Sequence, residues 1–378
     1  MAVASPSTVT IAGAGIAGVA TAIAAKRAGF DVEVLERAET LYEVGAGLAI
    51  WPNGTRALHA LGVHEIPGKE VRGLELRTWR GRLLTDTPVR DFRNRYGYDM
   101  IMVHRVELHA TLLRLLGSEN VRSGCEVTGF EQNGSVVRVA LKSGEQREAG
   151  ILIGADGLRS SVRRALLNDD GPRYSGATCW RGVAPFEVKD ACALNWWGPG
   201  SEFGVFPLGE GRAYWFAVVN KPEGEADGVD GRKADVLRAF ESWPDPICTV
   251  VEATADTEIL RNDLYDRPPA RSWTRGRVTL VGDAAHPMLP NAAQGACQAL
   301  EDAAALGDML RSHSPELALA AYEARRLRRA NRFVAQSWQT ARARQSTNPL
   351  LIGLLGFAVS HVPRSLLLRQ LDAQILRS

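Results

Sequence analysis

Cysteine is scarce in this chain: there are 5 in 378 residues, at Cys125, Cys179, Cys192, Cys248 and Cys297. No two stand in a C-x-x-C, and an odd number makes a poor disulfide framework. That excludes a disulfide scaffold and suits a reducing, cytoplasmic compartment. Long hydrophobic runs are missing too. The longest, Leu350 to Val359, is broken by Gly353 and Gly356 and falls short of the roughly 20 residues a membrane-spanning helix needs. A C-terminal helix docked on the body is the expectation, with contact to a membrane or another subunit left open. No basic segment or long apolar run precedes the first strand, so no signal peptide is expected. Nor is there an excess of charge: Lys+Arg number 45 against Asp+Glu 43, a net +2, which offers no footprint for nucleic acid. One basic run, Arg325, Arg326, Arg328, Arg329 and Arg332, reads as a solvated helix face. Internal repeats and low-complexity segments are absent, and no metal site is expected.

What remains is ordinary globular material, 45% hydrophobic and 23% charged, with a length that fits roughly two domains. The opening reads strand (Val9 to Ala12), glycine turn, Ala-rich helix to about Ala28, and strand (Val32 to Leu35), with Gly29 as the helix stop. A helix is predicted from about Val106 to Leu116. Strands are predicted at Val136 to Val139 and, as buried parallel strands, at Ile151 to Ile153 and Val278 to Val281. From about Arg173 to Arg267 the chain turns rich in Gly, Pro, Trp and Phe, and four of its nine tryptophans (Trp180, Trp196, Trp197, Trp215) fall between residues 180 and 215. This stretch reads as a mainly antiparallel sheet, joined by Leu74 to Thr78. Helices are predicted over Gln294 to Leu310 and Pro315 to Arg344, with a break at Asn348-Pro349.

Gly13, Gly15 and Gly18 form G-x-G-x-x-G between the first strand and helix. The first glycine permits the turn, the second lets backbone approach a pyrophosphate, and the third lets helix and strand pack closely. The helix N-terminus then faces the phosphates. Glu36, closing the second strand beside Arg37, is placed to accept from ribose hydroxyls. By itself this motif does not separate NAD from FAD.

Two later segments do. Gly154-Ala155-Asp156-Gly157-Leu158-Arg159-Ser160-Ser161-Val162-Arg163 and Gly282-Asp283-Ala284-Ala285-His286-Pro287, the latter running on through Pro290 to Cys297, each follow a buried strand and lead into a helix. With the opening motif they resemble, in order, the three fingerprints of the group A flavoprotein monooxygenases, the single-component hydroxylases of 4-hydroxybenzoate, salicylate and urate. The resemblance spans residues 9 to about 305. It implies an α/β fold: a Rossmann-like, glutathione-reductase-type FAD-binding domain (1–70, 98–172 and 267–345), a mainly antiparallel substrate domain (71–97 and 173–266), and a C-terminal helical tail (346–378). It also implies that Asp283 hydrogen-bonds the ribityl chain, that Gln294-Gly295-Ala296 face the pyrimidine edge of the flavin, and that Pro290 lies over its reactive part. Asp156 then supports the pyrophosphate region, with Arg159 and Arg163 as its partners or as a solvated face. Arg105 lies near the ribityl phosphate, Val127 meets the adenine, and the loop Gly45 to Ala49 flanks the isoalloxazine. Ala17 belongs to the glycine turn. His286 is expected to orient and pack.

No second G-x-G-x-x-G follows, so NADH or NADPH is expected to bind only transiently as reductant. The family's cycle implies substrate-triggered flavin reduction, reaction with O2 to a C4a-hydroperoxide, and attack on an electron-rich ring carbon. Arg181 is a candidate partner for a carboxylate or phenolate, and Tyr214, with Phe216 beside it, a candidate to relay a phenol proton. Glu202 stands where the urate hydroxylases place an arginine, which argues against urate. The tryptophans suggest a flat apolar ligand. A small aromatic substrate and O2 are the expected partners of a monomer or homodimer. Epoxidation of an isoprenoid or other alkene, and flavin oxidoreduction without oxygen insertion, are the alternatives.

Overall fold

The computed structural model describes residues 8–41 and 45–376; the expected lack of a signal peptide concerns residues 1–7, outside that range. The frame is a six-stranded sheet. From edge to edge it runs Thr274–Arg275, Val278–Leu280, Ile151–Gly154, Thr8–Ala12, Asp31–Leu35 and Val121–Arg122. Every pairing but the first is parallel. Its central strands are buried on both faces, which is why they read as continuous apolar runs. Helix Ile16–Arg27 is buried from Ile16 through most of its length, wedged among the sheet and helices Arg105–Leu116 and Gly295–Ser312. Its alanines make that approach feasible: a Cβ on Gly307 would stand only 2.9 Å from the Cβ of Ala24.

The second sheet has seven strands, in the order Leu260–Asp266, Arg173–Ala184, Arg212–Asn220, Ser201–Gly209, Cys192–Gly198, Gly73–Thr78 and Leu83–Thr87. All pairs are antiparallel except the one between Cys192–Gly198 and Gly73–Thr78. Side chains alternate between its faces. One face carries Trp180, Trp196, Phe203 and Trp215, packed against Phe240, Val250 and Val251 of the helices Gly231–Phe240 and Ile247–Ala253, two elements not foreseen from sequence. The opposite face carries Arg181, Val183, Tyr214 and Phe216, cross-strand partners in register. The tryptophan-rich stretch is therefore a hydrophobic core rather than a ligand surface, contrary to the expectation drawn from its composition. Trp197 lies on the other face, but its Nε1 donates to the Arg344 carbonyl at 3.0 Å.

A small sheet of Gly47–Ile50, Ile101–His104 and Lys69–Glu70 bridges the two large ones. It sets Gly47 against the ring of Tyr214, so close that a Cβ there would meet the ring Cγ at 2.5 Å. After the long helix Pro315–Arg344, Asn348 caps a short helix, Pro349–Ser360, and Arg364–Ile375 ends the described chain. Leu371 and Ile375 dock into a cluster with Trp51, Phe92 and Met100. The tail is thus docked through its last helix, while Pro349–Ser360 buries only Gly356.

The arginine run is not a uniformly solvated face. Arg325, Arg328 and Arg332 are exposed, whereas Arg326 is buried and Arg329 half-buried, because positions three apart share a side of the helix. That inner side meets Glu301 and Asp302.

Candidate active site

The glycine turn, the second strand and the strand ends converge on one cleft. Gly13, Gly15, Glu36, Arg37, Arg105, Val127 and Asp156 line it together, enclosing about 370 Å3. Gly13 adopts φ +102°, a conformation that favours glycine, and a Cβ on Gly18 would fall 1.9 Å from the Gly13 carbonyl oxygen. Glu36 accepts from the backbone N–H of Ala14 at 2.7 Å and of Ala38 at 2.9 Å, so its carboxylate is held at the lip of the turn. His109, not anticipated from sequence, braces the same turn from below, with Nε2 2.6 Å from the Ala14 carbonyl.

Asp156 is engaged locally. It accepts from Ser160 Oγ and from the backbone N–H groups of Ser161 (2.7 Å) and Val162 (3.2 Å), closing the start of helix Ser161–Leu167. Desolvation raises its carboxyl above the ordinary range against those hydrogen bonds. Neither arginine expected beside it is its partner. Arg163 is buried, pairs with Asp169, and donates to the carbonyls of Ala284 and Ala285 at 2.9 and 2.7 Å. Arg159 lies over the ring of Tyr265.

The third motif approaches the first directly. A Cβ on Gly282 would stand 2.7 Å from the Cβ of Ala17, which sets Asp283 beside the glycine turn. Asp283 is exposed. Even so, desolvation by the surrounding walls pushes its carboxyl up, with His286 and Arg105 opposing. Ala49 and Gln294 to Ala296 share the far end: the Trp51 N–H donates to Cys297 Sγ at 3.3 Å, and Asn53 Nδ2 donates to Gln294 Oε1 at 3.0 Å. Gln294 Nε2 is buried without a partner, and a Cβ on Gly295 would meet no atom nearer than 4.0 Å. An orphaned donor and open space at a helix start are what a planar ligand rich in acceptors fits. Pro290, exposed, begins the preceding turn.

Beneath that end lies a buried polar network with no local sequence signal. Asn53 Nδ2 also donates to Glu301 Oε1 at 2.7 Å. Glu301 pairs with Arg326 and Arg329, and Arg326 Nε with Asp302 at 2.8 Å. Asp302 in turn holds the Gly282 N–H at 2.9 Å and faces His286 Nε2 at 2.5 Å. His286 is buried, held between Asp302 and the ring of Trp273. Burial would raise both carboxyls, but His286 and Arg326 hold Asp302, and Arg326 and Arg329 hold Glu301, below the ordinary range.

A second cavity, of about 540 Å3, opens between the seven-stranded sheet and the Gly45-Ala46 loop; Arg181, Arg212, His104 and Leu260 are among its walls. Arg181 donates to Asn262 Oδ1, has a buried Nε without a hydrogen bond, and has no ion-pair partner among the described residues. Arg212 is already paired with Glu107 at 3.0 Å and Glu210 at 3.1 Å. Tyr214 does not line this cavity. Its ring packs on Gly47 and beside Phe206 and Phe216, and burial pushes its hydroxyl well above the ordinary value. At neutral pH it is a donor rather than a base. Glu202 is buried on the same sheet face, bound to Arg344 and, at 2.9 Å, to Asn195 Nδ2.

Comparisons with known proteins agree with this arrangement. A family profile described as an FAD binding domain matches residues 6–337. The chain is 42% identical over 348 residues, 90% of each protein, to the aurachin C monooxygenase/isomerase of Stigmatella aurantiaca. It is 37% identical to the 3-amino-4-hydroxybenzoate 2-monooxygenase of Streptomyces cremeus, over 85% of this chain and 83% of that one. The crystal structure of Klebsiella pneumoniae HpxO complexed with FAD and uric acid superposes with a TM-score of 0.91 at 29% identity, over 98% of this chain and 97% of that one. With the first two motifs lining one cleft and the third packed against the first at Gly282 and Ala17, the chain belongs to the group A flavoprotein monooxygenases and is an FAD-dependent monooxygenase of the aromatic hydroxylase family.

Proposed function

We propose that this enzyme uses NADH or NADPH and O2 to hydroxylate a small aromatic, or otherwise electron-rich, molecule whose anionic or phenolic group pairs with Arg181. The observation that carries this reading is Arg181 in the cavity beside the Gly45-Ala46 loop, which has no ion-pair partner among the described residues whereas Arg212 in the same cavity is paired with Glu107 and Glu210. A half-buried arginine with no carboxylate bound to it among the described residues can take an anion, and its planar fork suits a carboxylate or phenolate. Glu202, already bound to Arg344, adds no positive charge, which supports a substrate other than urate. Residues 1–70, 98–172 and 267–345 would hold FAD, 71–97 and 173–266 would hold substrate, and 346–378 would form the tail.

When bound, FAD supplies the redox chemistry: two electrons from the nicotinamide and one oxygen atom of O2 to substrate, the other leaving as water. The chain's own groups bind and orient. Gly13, Gly15 and the start of helix Ile16–Arg27 would take the pyrophosphate, Glu36 the ribose, and Asp283 the ribityl hydroxyls. Arg105, Val127 and Asp156 would complete the cleft. Backbone N–H groups at the start of helix Gly295–Ser312 would face the pyrimidine edge with the positive end of the helix dipole, beside Pro290 and Ala49. Tyr214, protonated and apolar-walled, would seat the loop at Gly47 and help keep water out.

The test is anaerobic flavin reduction by NADH or NADPH, with and without a panel of phenols, aromatic acids, indoles and isoprenoids. One ligand should accelerate bleaching sharply and yield a hydroxylated product under O2. Equal bleaching with every ligand would favour an oxidoreductase without oxygen insertion, and an epoxide product the alkene reading. For the active ligand, Arg181→Ala is expected to raise KM roughly 10- to 100-fold, the loss of one charge-assisted contact, with FAD content unchanged.

A further inference from the structure

The described chain exposes 11 large hydrophobic side chains, and 7 of them fall between Leu350 and Leu376. Scattered single exposures are ordinary, whereas a cluster marks an interaction surface. The cluster centres on helix Pro349–Ser360, which carries no charged residue. Leu350 is 84% exposed, Leu354 65% and Phe357 58%. The helix rests on the edge strand Leu83–Thr87, with Gly356 over Leu84, and Leu83 beside it is itself exposed.

We infer that this face seats on the surface of an anionic lipid bilayer. Two further features select that occupant. The next helix, Arg364–Ile375, turns away by 91°, and no single helix among the described residues is long and apolar enough to cross a membrane. The 12-residue helix, apolar from Pro349 to Val359 and too short to span, would therefore lie along an interface, with the charges supplied by the rim around it. The rim is also basic. Arg80, Arg82 and Arg369 are exposed without ion-pair partners among the described residues, against the exposed carboxylates of Asp86 on the edge strand and of Asp245 beside Pro244, which neighbours Gly81; Asp91 and Asp372 are taken by Arg364 and Arg95. A second copy of this chain would set that basic rim against itself, whereas anionic headgroups complement it.

The experiment uses the full FAD-loaded chain and sedimentation with vesicles of phosphatidylcholine, with and without phosphatidylglycerol. Wild type should sediment with the anionic vesicles. Leu354→Ser/Phe357→Ser should lower that partition at least about tenfold, the consequence of removing two buried apolar side chains. Arg82→Gln/Arg369→Gln should lower it about fivefold per charge while leaving any weak binding to neutral vesicles in place. Flavin absorbance in both variants should match wild type, since neither pair lies near the FAD cleft. The inference is overturned if wild type ignores both vesicle types, or if the apolar variant binds as well as wild type. It is equally overturned if light scattering shows a dimer that the apolar variant dissociates, which would assign the face to a second copy.

Discussion

Replacing Arg326 by methionine is expected to destabilise the enzyme by about 3–5 kcal/mol, the usual cost of breaking a buried ion pair from one side. Arg326 is 2% exposed and bonds Glu301, Asp302 and both the backbone and side-chain oxygens of Gln298. Methionine fills similar volume and takes the Arg326 charge away from two buried carboxylates, leaving Glu301 to Arg329 and Asp302 to His286. The damage should not stop at stability. Asp302 holds the Gly282 N–H and His286 in the third motif, and Glu301 reaches the flavin-end helix through Asn53. FAD affinity should therefore fall along with the urea midpoint. Arg326→Lys should restore little of either, because one ammonium cannot reproduce the planar fork. A variant as stable as wild type would show that the cluster is dispensable.

The same cluster sets an acid limit. Glu301 and Asp302 are held below the ordinary carboxyl range in the folded chain, so there the unfolded chain binds more protons than the folded one. Their stabilisation is complete above the ordinary carboxyl range and is lost as pH falls through the depressed values. In Arg326→Met burial is opposed only by Arg329 and Asn53 at Glu301 and by His286 and the Gly282 N–H at Asp302. The acid-unfolding midpoint should consequently move to higher pH, as a pH series of urea melts would show.

The second large effect is expected at Gly18. An alanine Cβ there would lie 1.9 Å from the Gly13 carbonyl oxygen and 3.3 Å from the Ala155 Cβ. Backbone cannot yield as a flexible side chain does, so helix Ile16–Arg27 must shift away from the turn. Strain of this kind costs about 1–3 kcal/mol, which at the pyrophosphate seat corresponds to roughly 10- to 100-fold weaker FAD binding. Gly129→Ala, where an added Cβ meets nothing within 4 Å, serves as the control and should bind FAD normally. Titration of the apoprotein with FAD, followed by flavin fluorescence, separates the two. Unchanged affinity in Gly18→Ala would move the pyrophosphate away from this turn.

The residues that sequence alone identified are those whose role is local. A turn that must reach φ +102° and a helix that must press on its neighbour demand glycine at Gly13 and Gly18 whatever the rest of the chain does. Buried parallel strands demand unbroken apolar runs such as Ile151 to Ile153. Three such signals in order were enough for the fold and for FAD as the cofactor. What sequence could not decide depended on which face of an element is covered. Trp215 and Phe216 are adjacent on one strand, and alternation puts them on opposite faces; only the helices packed on one side make Trp215 core and leave Phe216 beside Tyr214. Arg325 and Arg326 are likewise adjacent on one helix, yet one is solvated and the other bound to two carboxylates from another helix. Arg181 is left without an ion-pair partner among the described residues because the acids nearest it in the sheet are engaged elsewhere, Glu202 with Arg344 and Asp263 with Thr178 and the Gly224 N–H. Composition and spacing carry no information about such encounters, because they join residues far apart in the chain, and tertiary packing alone decides which charges meet and which are left open.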